Sequence, residues 1–124
     1  MPRAAGRRAS VRAAKARSQP GRGYRAGVLT LGDIRSAAAQ IAGVARRTPV
    51  TSSDALTRVA GRRLLLKHEE LQRTGSFKIR GAYNLISRLA DSDTEVVAAS
   101  AGNHAQGVAL AATLTGRRST IFMP

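Results

Sequence analysis

Three short apolar runs alternate with two helical stripes between Arg63 and Met123, and that order constrains the fold more than any other feature of the chain. Arg63–Glu69 centres on Leu64-Leu65-Leu66, Glu95–Ser100 on Val96-Val97-Ala98-Ala99, and Ser119–Met123 on Ile121-Phe122; each has the length and character of a strand. Between the first two, Phe77, Ala82, Leu85, Ile86 and Leu89 form a stripe that predicts a helix running from a Ser76 cap to about Ala90, where Asp91-Ser92-Asp93 breaks it. Between the second and third, Ala101-Gly102-Asn103 reads as a tight turn and His104–Leu114 as a small-residue helix closed by Gly116. Strand, helix, strand, helix, strand amounts to two successive crossover units, which call for a parallel sheet with helices on its faces.

Upstream, Thr30 and Asp33 have the spacing of a capping box, and Ile34, Ala37, Ala38, Ile41 and Val44 recur at helical intervals, predicting a helix over 31–46. Thr48-Pro49 stops it, because the residue before a proline is pushed out of the helical region. A short helix over 53–60 then ends at Gly61, and 72–75 reads as a loop.

Before Val28 the composition changes. Residues 1–27 hold eight of the 21 basic residues and none of the seven acidic ones, so the tail carries more than half of the +14 net charge. Its Ala, Gly, Ser and Pro cannot bury enough apolar surface to offset ordering entropy, and disorder is expected there. Three readings fit this tail: a transit peptide, a nucleic-acid-binding arm, or an extension without a role, the last being favoured. Residues 28–124 form the one folded unit expected. No apolar run has the length of a membrane helix, so a soluble, cytoplasmic protein is expected, organelle targeting by the tail being the lesser alternative. The chain has no cysteine, and His68 and His104 lack a metal-ligand spacing, so no metal is expected.

Ligands of parallel sheets bind where strands hand over to helices, and both such loops here are chemically unusual. The first carries Lys78 at the start of a helix, where free amide groups and the dipole disfavour a cation. Together with burial beside Phe77, that placement is expected to lower the amine's pKa, and a neutral amine is the form that attacks a carbonyl. On this ground alone, a solvated surface lysine remains the more common outcome.

The wording of the motif changes that balance. Lys67-His68-Glu69-Glu70-Leu71-Gln72-Arg73-Thr74-Gly75-Ser76-Phe77-Lys78-Ile79-Arg80-Gly81-Ala82 closely resembles the lysine motif of threonine and serine dehydratases, which are fold-type II pyridoxal-phosphate enzymes. Arg47-Thr48-Pro49 and Ser100-Ala101-Gly102-Asn103-His104-Ala105-Gln106-Gly107 match at the expected order, so the resemblance covers about 31–124. It implies an α/β fold, part of the three-layer parallel-sheet architecture of the tryptophan synthase β-like enzymes, with pyridoxal 5'-phosphate as cofactor. Lys78 would form the Schiff base with the cofactor aldehyde, Phe77 would pack on the pyridine ring, and Asn103 would hydrogen-bond the phenolic oxygen. Ser100, Ala101, Gly102, Asn103 and His104 would take the substrate carboxylate, a suitable environment because it lies at a helix start. The implied reaction is β-elimination of L-threonine to 2-oxobutanoate and ammonia, or of L-serine to pyruvate, with Lys78 as the base at Cα.

Ile79-Arg80 after the lysine differs from the aspartate usual in O-acetylserine sulfhydrylases and threonine synthases, and Ala101 stands where related serine racemases have a serine base. His104 is read as a hydrogen-bond donor rather than a base, Glu69 and Glu70 as loop-orienting or solvated, and Arg80 as solvated or paired with an acid. The family's glycine-rich phosphate loop and its later serine or cysteine facing the pyridine nitrogen are not found, so the chain resembles the first part of a longer, homo-oligomeric enzyme. By itself it is expected to be inactive, with an apolar sheet face and a strand edge left uncovered. The alternative is a non-catalytic remnant whose basic tail binds nucleic acid or acidic surfaces nonspecifically; an amino acid, not nucleic acid, is the partner expected first.

Overall fold

The computed structural model describes residues 28–91 and 93–123; the expectation of a disordered tail over 1–27 lies outside them. Helix α1, Leu31–Gln40, begins at the anticipated capping box: the Asp33 amide donates to Thr30 Oγ1 at 3.2 Å, and Asp33 accepts from the Thr30 amide at 2.9 Å. The helix stops six residues before the predicted end. Gly43 takes a left-handed backbone (φ 77°), which turns 41–45 into a series of tight turns although the apolar spacing continues.

Strand β1, Val50–Ser52, is not among the expected elements. It leads into α2, Asp54–Ala60, which is ended by Gly61 at φ 66° as the sequence suggests and begins one residue later than expected, with Ser53 as its cap. Strand β2, Leu65–Lys67, then returns antiparallel to β1, pairing Val50 with Lys67 and Ser52 with Leu65. The ladder is prolonged by the His68 amide donating to Pro49 O at 3.1 Å. This corrects the expected first crossover unit: among the described residues β2 pairs with its upstream neighbour and not with the next strand of a parallel sheet. A single two-turn helix closed by a left-handed glycine brings the chain straight back, and a direct return is antiparallel by geometry.

The segment expected as a loop at 72–75 contains a turn of 3-10 helix, Arg73–Gly75, and another, Glu69–Leu71, precedes it. Helix α3, Lys78–Ile86, follows, with Ser76 as the last extended residue (φ −162°, ψ 164°) and Phe77 already helical. It ends earlier than the predicted Ala90, because the chain tightens to bonds from Arg88 to Leu85 O and from Leu89 to Ile86 O. Arg117 closes that end by donating from Nη2 to Leu89 O at 2.8 Å and from Nη1 to Asp91 O.

The second crossover unit forms as expected. Strand β3, Val96–Ala99, leads through Ser100–Gly102 into α4, Asn103–Leu114, and Gly116 at φ 68° turns the chain into β4, Ser119–Phe122, which lies parallel to β3 with Val96 opposite Ser119 and Ala99 opposite Phe122. The core sits between α3 and α4. Ile79, Ala82 and Ile86 face Val108 and Ala111, with Val96 and Ala98 of β3 packed beneath them. Alternation along the pleat leaves Val97 and Phe122 on the other face, each 62% exposed, so helices cover this pair of strands on one side.

Candidate active site

Lys78 opens α3 and projects into solvent, with its Nζ 4.9 Å from the centre of the Phe77 ring. That distance is within reach of a favourable contact between an ammonium and an aromatic face. The expected burial of Lys78 beside Phe77 is not found: the lysine is exposed and Phe77 is 56% exposed, because among the described residues no element covers these two side chains. Ser76 contributes a long contact to the helix start, accepting from the Lys78 amide at 3.4 Å.

Of the second loop, Ser100 is half-buried and accepts from the Gly102 amide at 3.3 Å, while Ala101, Gly102, Asn103 and His104 are exposed. Helix α4 starts at Gly102 with no side-chain cap and no acid in its first turn. The first amide groups of an uncapped helix have no partner within the helix, which makes this end suited to an anion.

Gly107 brings the two loops together. It is buried, and a Cβ built on it would meet the carbonyl carbon of Lys78 at 3.1 Å, the amide nitrogen of Ile79 at 3.2 Å and Lys78 Cβ at 3.4 Å. The backbone of α4 therefore rests directly on the residue that carries the amine. Asn103 lies one turn before Gly107, about 6 Å along the helix axis. Lys78, Phe77 and the Ser100–His104 loop thus share one end of the α3–α4 pair.

The sequence reading missed a polar network behind Lys78. Glu69 accepts two bonds from Arg80, from Nε at 2.9 Å and Nη2 at 2.7 Å, and a third from Thr48 Oγ1 at 2.6 Å. These bonds, led by those from Arg80, hold the Glu69 carboxyl at about 2, against an ordinary 4.5. Arg80 Nη2 also donates to Arg46 O at 3.0 Å, and Lys67 Nζ donates to Thr48 O at 2.6 Å. Gln72, 3% exposed, reads the Arg46 residue in both directions, accepting from its amide and donating to its carbonyl, each at 2.8 Å. Of the two readings open for Arg80, pairing with an acid is the one observed. Glu70 instead pairs with His68 Nδ1 at 2.6 Å, and that bond lowers its carboxyl. No periodicity marks Gln72 or Thr48; the only sequence signal was two charges of opposite sign bracketing a lysine motif.

Residues 41–124 match the pyridoxal-phosphate dependent enzyme family. The chain is 52% identical over 99 residues to the L-threonine ammonia-lyase of Thermotoga maritima, covering 78% of this chain and 25% of that protein. Among solved structures it resembles a T.th. threonine deaminase, with 45% identity and a TM-score of 0.69 over 77% of this chain and 31% of that one. Maize serine racemase is similar at 46% identity and a TM-score of 0.69, over 76% of this chain and 30% of that one. The chain thus spans between a quarter and a third of the length of these relatives, and the likeness bears out the α/β fold-type II architecture.

Proposed function

The chain belongs to the pyridoxal-phosphate-dependent enzyme family, and on that premise we propose that it supplies the lysine-bearing part of an ammonia-lyase acting on L-threonine or L-serine. The observation that carries this reading is the packing of Gly107 on the Lys78 backbone, which sets an exposed amine beside an uncapped helix start. The residues present fit the cofactor at the points they can address: a free primary amine, an aromatic face next to it, and an anion-receptive loop within a helical turn of the contact.

In this reading Lys78 Nζ would hold the cofactor through its aldehyde and would serve as the base that takes the proton from the substrate Cα. Pyridoxal 5'-phosphate, when bound, supplies the electron sink for the charge left at that carbon. Phe77 and Asn103 would help to hold the cofactor, Phe77 by packing on its ring and Asn103 by donating its side-chain amide to the phenolic oxygen. The amide groups at the start of α4, with Ser100 Oγ, receive the substrate carboxylate and so fix which bond at Cα faces the lysine. The β-hydroxyl would leave as water, taking up the proton removed from Cα, and the resulting enamine would tautomerise to an imine that a second water hydrolyses to the 2-oxo acid and ammonia. Ala101 offers no group to carry a proton on the opposite face of Cα, which favours elimination over racemisation even though a serine racemase is a structural neighbour.

The test is capture of pyridoxal phosphate by the purified chain, trapped with borohydride and mapped by peptide mass spectrometry beside a Lys78→Ala control. The expected result is weak capture on Lys78 in preference to Lys15, the lysine of the basic tail, with no measurable ammonia release from L-threonine by this chain alone. Equal total labelling in the parent and in Lys78→Ala would overturn the reading of Lys78, and robust ammonia release would overturn the expected inactivity.

A further inference from the structure

Lys78 lies within a segment whose two ends are tied to each other. Glu69 and Arg80 meet through two bonds, at 2.7 and 2.9 Å, and so close the chain from 69 to 80 into a loop with the lysine near one end. Three points of that loop converge on one short stretch, 46–48. Glu69 binds Thr48 Oγ1, Gln72 binds both the amide and the carbonyl of Arg46, and Arg80 binds the same carbonyl. On its other side the Lys78 backbone abuts Gly107.

The interior of the loop is strained. Thr74 has φ 62° and ψ 17°, a left-handed conformation that is costly for a β-branched residue, and Gly75 follows at φ 66°. Thr74 Oγ1 is also buried without a hydrogen-bond partner, so the side chain gains nothing there. A backbone of this kind persists only when its surroundings over-determine it. Here the surroundings are the three attachments to 46–48, of which the two charged ones lie at the ends of the loop.

We propose that Glu69 and Arg80 act as a clasp that positions Lys78, holding the Thr74–Gly75 turn in its strained form and thereby fixing where α3 begins. The inference rests on Lys78 being the reactive amine. Neither Glu69 nor Arg80 touches substrate in this scheme; both are positioning residues. Arginine is suited to the task because its planar fork meets both carboxylate oxygens while one nitrogen also reaches the Arg46 carbonyl. A lysine would keep the charge and lose the geometry.

Two substitutions test the clasp with two readouts. Glu69→Gln and Arg80→Lys are compared with the parent by hydrogen exchange of peptides covering 69–80 and 103–114, and by the ratio of trapped pyridoxal phosphate on Lys78 to that on Lys15. Opening the clasp should speed exchange over 69–80 by about tenfold, as expected for loss of a charge-assisted bond, and leave 103–114 nearly unchanged. The Lys78 to Lys15 ratio should fall with it. Thr74→Gly added to Glu69→Gln should recover part of the protection, since glycine adopts the left-handed turn without strain. Exchange that rises equally in both peptides would mean that the pair only stabilises the fold, and an unchanged ratio would mean that the lysine's placement is independent of it; either result overturns the proposal. A parent chain that labels Lys78 no better than Lys15 would count against the functional reading instead, and the exchange comparison would then decide the clasp.

Discussion

The same substitution, glycine to alanine in a helix, should have opposite effects at Gly107 and Gly81. In a helix interior this change ordinarily stabilises by about 0.5–1 kcal/mol, because alanine loses less backbone freedom on folding. At Gly81, exposed in α3 with nothing within 4 Å of the new Cβ, that gain should appear in full. At Gly107 the Cβ would stand 3.1 Å from Lys78 C and 3.2 Å from Ile79 N, both backbone atoms that cannot swing aside. Comfortable carbon contacts begin near roughly 3.5 Å, and forcing extra volume into a packed contact costs about 1–3 kcal/mol. Subtracting the propensity gain leaves Gly107→Ala destabilising by up to about 2.5 kcal/mol, and the two variants separated by the strain itself, roughly 1–3 kcal/mol. Urea unfolding followed by circular dichroism, on both variants and the parent, measures this. Lys78 labelling should also fall in Gly107→Ala alone, because α4 must back away from the residue bearing the amine. If both variants were stabilised alike, α4 would not rest on the start of α3, and the adjacency on which the functional reading depends would be lost.

Three further outcomes are expected. Glu69 has a folded carboxyl at about 2 against an ordinary 4.5, so its contribution to stability is whole above about pH 4.5 and is lost as the pH falls toward 2. The shift sets a ceiling of about 3–4 kcal/mol, which solvent screening lowers at this partly exposed pair, and because Glu69→Gln removes this titration, the parent's stability advantage over it should shrink through that window; a constant advantage would contradict the assignment. Phe122→Ser or Val97→Lys, on the uncovered face of β3 and β4, should weaken self-association by at least about tenfold in sedimentation experiments without lowering unfolding stability, and unchanged association would show that this face is not the adhesive one. A chain beginning at Val28 should lose any salt-dependent retention on nucleic acid, since eight basic residues and no acid lie before it; equal retention would remove the tail as the binding element.

Pair-by-pair assignments divide cleanly into those a local rule can reach and those it cannot. The Thr30–Asp33 capping box, the short helix that ends at Gly61, the parallel unit from Val96 to Phe122 and the Gly116 turn were all legible, because each depends on residues within a few positions or on one apolar period. The candidate site residues were legible as a resemblance, through the wording around Lys78 and Asn103, while the exposure of Lys78 and Phe77 was not. Burial depends on which elements lie overhead, and that is a property of distant sequence.

By itself, then, the sequence determined about where the helices begin, where α2 and α4 end, and the residue types of the two strand-to-helix loops, since these follow from backbone preferences and side-chain types. Only the tertiary structure decided that β2 turns back onto β1, that Gly107 seats α4 on Lys78, and that Glu69 and Arg80 close the lysine loop against Arg46–Thr48. Strand pairing, close backbone approach and ion pairing each join residues from separate elements, and their free energy appears only when the intervening chain has folded to bring the partners within bonding distance.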